Sequence, residues 1–129
     1  IAEVMKVKYL NTLLENNDLD PAIKDEVIKS YQEIKGKVRD LGIHMDEDAE
    51  LMFSSHVLAL LKRIKSRSFV EDMSEACDQM SRDVFEMADG VVREYFDREG
   101  IPVNQTEVFL VATHLEIAIQ KEKEETKNE

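Results

Sequence analysis

Phe53-Ser54-Ser55-His56-Val57-Leu58-Ala59-Leu60-Leu61-Lys62-Arg63 and Glu107-Val108-Phe109-Leu110-Val111-Ala112-Thr113-His114 each hold a histidine and a charge seven residues apart. Seven residues are two turns of an α-helix, so His56 and Arg63 share one helix face and Glu107 and His114 share another. The order of histidine and charge is reversed between the two stretches. If the helices pack antiparallel, setting Arg63 beside Glu107 therefore sets His56 beside His114. One docking then forms a salt bridge and a two-histidine site.

The rest of the chain follows the same period. Val4, Val7, Leu10, Leu13 and Leu14 predict an amphipathic helix over about 2–15. Asp20-Pro21 reads as an N-cap followed by proline at the first helical position, and Ile23, Val27, Ile28, Tyr31, Ile34, Val38 and Leu41 carry a helix to Gly42. A third helix is expected from near Asp46, with acids in its first turn, to about Ser66; the run Lys62, Arg63, Lys65, Arg67 complements its dipole at a solvated end. After the connector Phe69-Val70, one long helix is expected from Met73 to about Glu99, with Gly90 marking a close helix crossing or a bend. Gly100-Ile101-Pro102-Val103 breaks the pattern. Asn104 and Glu107 then form a capping-box pattern for a strongly apolar last helix, and the Lys/Glu-rich stretch after Gln120 is expected to fray.

These readings predict an all-α protein, an antiparallel bundle of about five helices, with all 129 residues in one domain. Its core runs from about 21 to 119, an extra helix precedes it and a charged tail covers about 121–129. The absence of Trp and the scarcity of breakers, four Gly and two Pro, fit long helices.

A net charge of -11 argues against direct contact with nucleic acid, whose binders neutralise phosphates with Lys and Arg. No apolar run reaches membrane-spanning length, no signal peptide is evident, and the expected location is the cytoplasm. The lone Cys77 cannot make an internal disulfide. Neither His56 nor His114 completes the Glu-x-x-His pattern of a di-metal bundle, because Phe53 and Val111 stand three residues before them, and His44 falls in a loop. No activated nucleophile, phosphate loop or paired-carboxylate cleft is evident. Neither an enzyme nor a bound cofactor or metal is expected.

An unprotonated imidazole nitrogen can accept a phosphoryl group, provided a donor protein can reach it. Such a modification adds negative charge at a helix or subunit contact and so can tighten or open it. The segment around His56 resembles the first histidine motif of the PTS regulation domain (PRD) family, and Glu107 to His114 resembles its second, with family-like spacing and a Gly-Ile-Pro turn between. The likeness covers about 21–119. It implies a helical domain phosphorylated by the sugar phosphotransferase system, through its phosphocarrier HPr or a IIB component, controlling dimerisation or a regulator partner in transcription or antitermination. His56 and His114 would be the phosphoacceptors and Arg63, Glu107 and Ser55 supporting residues. Ser55 stands where the family commonly has Asp. The chain resembles a standalone version, without the nucleic-acid module that usually accompanies such domains. The alternative expectation is a helical protein-interaction module that is not phosphorylated.

Overall fold

The computed structural model describes residues 21–69, 72 and 80–127, with side chains through 124. Among them are four helices: α1 (Pro21–Asp40), α2 (Glu47–Ser66), α3 (Arg82–Arg98) and α4 (Gln105–Lys127). The helix expected over 2–15, the Asp20 cap and Cys77 lie outside the described residues.

Each helix buries one apolar stripe, and the stripes meet in a single core. Val27, Tyr31, Ile34 and Val38 come from α1, and Phe53, Val57, Leu58, Leu60, Leu61 and Ile64 from α2. Val84, Ala88, Val91, Val92, Tyr95 and Phe96 come from α3, and Val108, Val111, Ala112, Leu115 and Ala118 from α4. Around the bundle the neighbours run α1, α2, α4, α3 and back to α1. Cross-links give the directions. Tyr31 hydrogen-bonds Ser54 and Lys35 pairs with Glu50, so higher numbers on α1 meet lower numbers on α2. Lys37 pairs with Glu94 at 2.9 Å, and Tyr95 Oη donates to Glu33 at 3.1 Å, so α1 and α3 are also antiparallel.

The helix ends are set by local chemistry. Gly42, at φ +78°, and Gly100, at φ +67°, stop α1 and α3 in the left-handed region that glycine adopts without steric cost. Ile101 N–H closes the second stop by donating to Phe96 O at 3.2 Å. Asp46 caps α2, its Oδ1 accepting from Ala49 N–H at 2.8 Å. Asn104 caps α4 the same way, accepting from Glu107 N–H at 3.0 Å. Glu107 does not complete the box. Its carboxylate turns to Arg63.

Several expectations need correction. Helix α3 begins at Arg82, and Met80 and Ser81 are non-helical, so no unbroken helix runs from the Met73 region to Glu99. Helix α4 continues to Lys127, past its last apolar residue, on good helix formers. Within its first turns Phe109 and Leu110 are only half-buried, because they flank the stripe that faces α2 and α3. The basic end of α2 is also less solvated than expected. Lys65 pairs with Glu26, at 2.6 Å, and with Glu99, while Arg67 Nη2 donates to Glu99 O at 3.0 Å, tying the end of α2 to α1 and to the C-cap of α3.

Gly90 was expected to mark a close helix crossing or a bend. It is exposed, and a Cβ there would meet nothing within 4 Å, so no described helix crosses closely at this point. A mid-helix glycine without a packing role is a conformational-entropy cost. Gly90→Ala is therefore expected to stabilise the protein by about 0.5–1 kcal/mol in urea unfolding. An unchanged or lowered midpoint would show that the glycine has another role.

Candidate functional site

The site lies along the antiparallel contact of α2 and α4. Arg63, in the last turn of α2, donates from Nε to Glu107 Oε2 at 2.6 Å and from Nη2 to Oε1 at 3.0 Å. This is a two-point bond between a planar guanidinium and a carboxylate, the strong form of such a pair. Glu107 is fully buried, whereas Arg63 keeps 21% of its side-chain surface exposed. Each residue also suits its helix end, the cation at the negative end of α2 and the acid at the positive start of α4.

Two turns along each helix the histidines meet. The ring centroids of His56 and His114 are 5.1 Å apart and the planes are tilted by 38°. Phe53, one turn before His56, presents an edge-on contact to His114, with centroids 6.4 Å apart at 74°. A further rung closes the far end of the helix pair, where Lys121 Nζ donates to Asp46 Oδ2 at 2.8 Å. These rungs hold the register. A slip of one residue on either helix would separate all of them.

Burial governs the imidazoles. Desolvation, then the His114 and Arg63 charges, lower the pKa of His56 from 6.5 to about 4. Desolvation also lowers His114. Both rings are therefore neutral near pH 7, the state in which one nitrogen carries a free lone pair. His56 Nε2 is sealed from solvent and has no hydrogen-bond partner among the described residues, an uncompensated polar atom at the helix contact. On the outer side, Met52, 60% exposed, stands one turn from His56, and Ile117, 45% exposed, stands one turn from His114.

The structure separates the two serines beside His56. Ser54 turns into the core and hydrogen-bonds Tyr31, so it does not border the histidine face, while Ser55 is exposed on the helix surface. The 100° step between successive helical residues makes this split unavoidable. His44 is exposed in the α1–α2 connection, before the first residue of α2, whereas His56 lies more than two turns into that helix. It takes no part in the pair. Among the described residues no group of three His, Cys, Asp or Glu side chains is placed to hold a metal ion. Sequence reasoning missed Phe53 and the Asp46–Lys121 rung. Phe53 was legible, since it lies three residues from His56 on the same face, but Lys121 sits in a stretch whose composition hides any partner.

A family model described as PRD domain matches residues 33–118, which include His56, Arg63, Glu107 and His114. No curated protein and no solved structure matches the chain. The PRD is a regulatory domain family rather than a catalytic one, its members being phosphoacceptors controlled by the sugar phosphotransferase system, and no described helix is long and apolar enough to cross a membrane. With a match over most of its length and an all-helical fold, the chain belongs to the PRD domain family.

Proposed function

We propose that this protein is a cytoplasmic regulatory domain in which His56 and His114 accept phosphoryl groups from HPr or a IIB component of the sugar phosphotransferase system. The observation that carries the reading is the meeting of two neutral imidazoles, 5.1 Å apart, across a contact between two helices. Transfer breaks the donor's bond to phosphorus, N–P in a phosphohistidine or S–P in a phosphocysteine, and forms an N–P bond to an unprotonated nitrogen of the acceptor ring, the lone pair on that nitrogen being the nucleophile. Arg63, Glu107 and Ser55 do not touch the phosphoryl. The first two hold the helix register, and Ser55 lies on the approach surface.

His114 is taken first. Its ring lies less deep than that of His56, whose Nε2 is sealed against solvent. A phosphoryl at His114 brings about two negative charges to the neighbouring ring, and that charge opens the α2–α4 contact enough to expose His56. The exposed face around Met52 and Ile117 then changes its affinity for a second copy or for a regulator of transcription or antitermination.

The direct test is incubation with phosphoenolpyruvate, the general phosphotransferase enzyme and HPr, followed by mass measurement and an acid-lability check. Wild type is expected to gain acid-labile phosphate. His56→Ala should still take one group, and His114→Ala should take none or take it slowly. A second reading, a helical interaction module without phosphorylation, draws on the same sealed Nε2 and on the Phe53 packing of His114, which treat both rings as core material. Absence of phosphate on either histidine, with HPr and with a IIB donor alike, favours it.

A further inference from the structure

We propose that the unphosphorylated His56–His114 pair is a two-imidazole site for a borderline divalent transition metal such as Zn²⁺, with water completing the coordination shell. The first argument is distance. With Zn–N bonds of about 2.0–2.1 Å and each ring centre about 1.1 Å behind its ligating nitrogen, two imidazoles on a tetrahedral ion have centroids about 5.2 Å apart. The rings of His56 and His114 stand at 5.1 Å with no ion between them.

The second argument is the orphaned nitrogen. His56 Nε2 is buried and finds no partner among the described residues, a cost that a metal bond would recover. Arg63 is held by its two-point bond to Glu107, two helical turns from the rings. Imidazole nitrogen selects zinc, copper, nickel or cobalt and not the oxygen-seeking Mg²⁺ or Ca²⁺. With only two protein ligands the affinity belongs in the micromolar range, weaker than a closed structural site. The metal is thus an exchangeable occupant that competes for the same nitrogens a phosphoryl group would take.

This inference uses the imidazoles of the proposed phosphoacceptor site but does not need phosphorylation to occur. Its test is made on unphosphorylated full-length protein, with no phosphotransferase component present. Zn²⁺ and Co²⁺ are titrated by calorimetry and by Co²⁺ visible absorption, in wild type and in a Cys77→Ser background that removes the thiol. One ion per chain is expected. His56→Gln and His114→Gln should each weaken binding at least about tenfold, the lower end of what even outer-shell losses cost a metal site. His44→Gln should bind as wild type, and Mg²⁺ should produce no heat. Should either glutamine variant fail to fold, the ¹⁵N imidazole shifts of the wild type replace it. Zn²⁺ must then move the His56 and His114 signals and leave His44 in place. No binding, or binding that survives loss of both histidines or follows Cys77 or His44, overturns the proposal. Failure of phosphorylation with intact zinc binding would instead count against the phosphoacceptor reading alone.

Discussion

Arg63→Ala is expected to cost about 3–5 kcal/mol of folding stability, the largest effect of any single surface-reaching side chain in this protein. The reason is asymmetry in burial. Glu107 is 0% exposed, so removing its partner strands a carboxylate that cannot turn to water. The reciprocal change, Glu107→Gln, leaves Arg63 with 21% of its side chain exposed and a long stem on which the guanidinium can reach solvent. That variant is expected to lose about 1.5–3 kcal/mol. Removing both charges together in Arg63→Met/Glu107→Leu should return the stability to within about 1 kcal/mol of wild type, because a buried ion pair is often matched by apolar side chains of similar volume. Urea unfolding of the four proteins checks the order. Domains of this size are stable by only about 5–15 kcal/mol, so a midpoint for Arg63→Ala equal to wild type would show that the bridge is not holding the helices.

Acidification provides the second large effect. The unfolded chain protonates His56 near 6.5, but the folded protein resists until about 4 because burial disfavours the imidazolium. Between those two values the unfolded state binds more protons, so the contribution of His56 is intact above about pH 6.5 and is lost progressively as the pH falls to about 4. Allowing for its partial exposure, the loss from this one group is roughly 2–3 kcal/mol. His114, also lowered by burial, adds to the loss in the same direction. The measurement is urea unfolding of wild type and His56→Gln across this range. Carboxylates titrate in both proteins alike, so wild type should lose stability more steeply than His56→Gln between about pH 6.5 and 4. Parallel curves would show that the buried imidazole does not govern the acid response.

Both effects come from the same geometric fact, the alignment of two rungs along one helix pair. Periodicity made that alignment legible in the chain itself. Seven-residue spacing in opposite order on two helices leaves one antiparallel register that pairs Arg63 with Glu107 and His56 with His114, and the distances meet both conditions. Helix ends were equally legible where a cap or a glycine supplies the signal, as at Gly42, Asp46, Gly100 and Asn104. The helix start at Arg82 was not, because Ser81 makes no side-chain cap and the apolar spacing runs through the break.

The helical class, the inward face of each helix and the set of residues that share a face all follow from a 3.6-residue period and local capping chemistry, so the chain alone carries them. Packing between helices set how deep each residue lies on its face. It sealed His56 Nε2, buried Glu107 completely while leaving Arg63 at the surface, gave Lys65 two acids from different helices, and left Gly90 in open solvent. Depth depends on what the neighbouring helices bring to the contact, and no period within one helix encodes it.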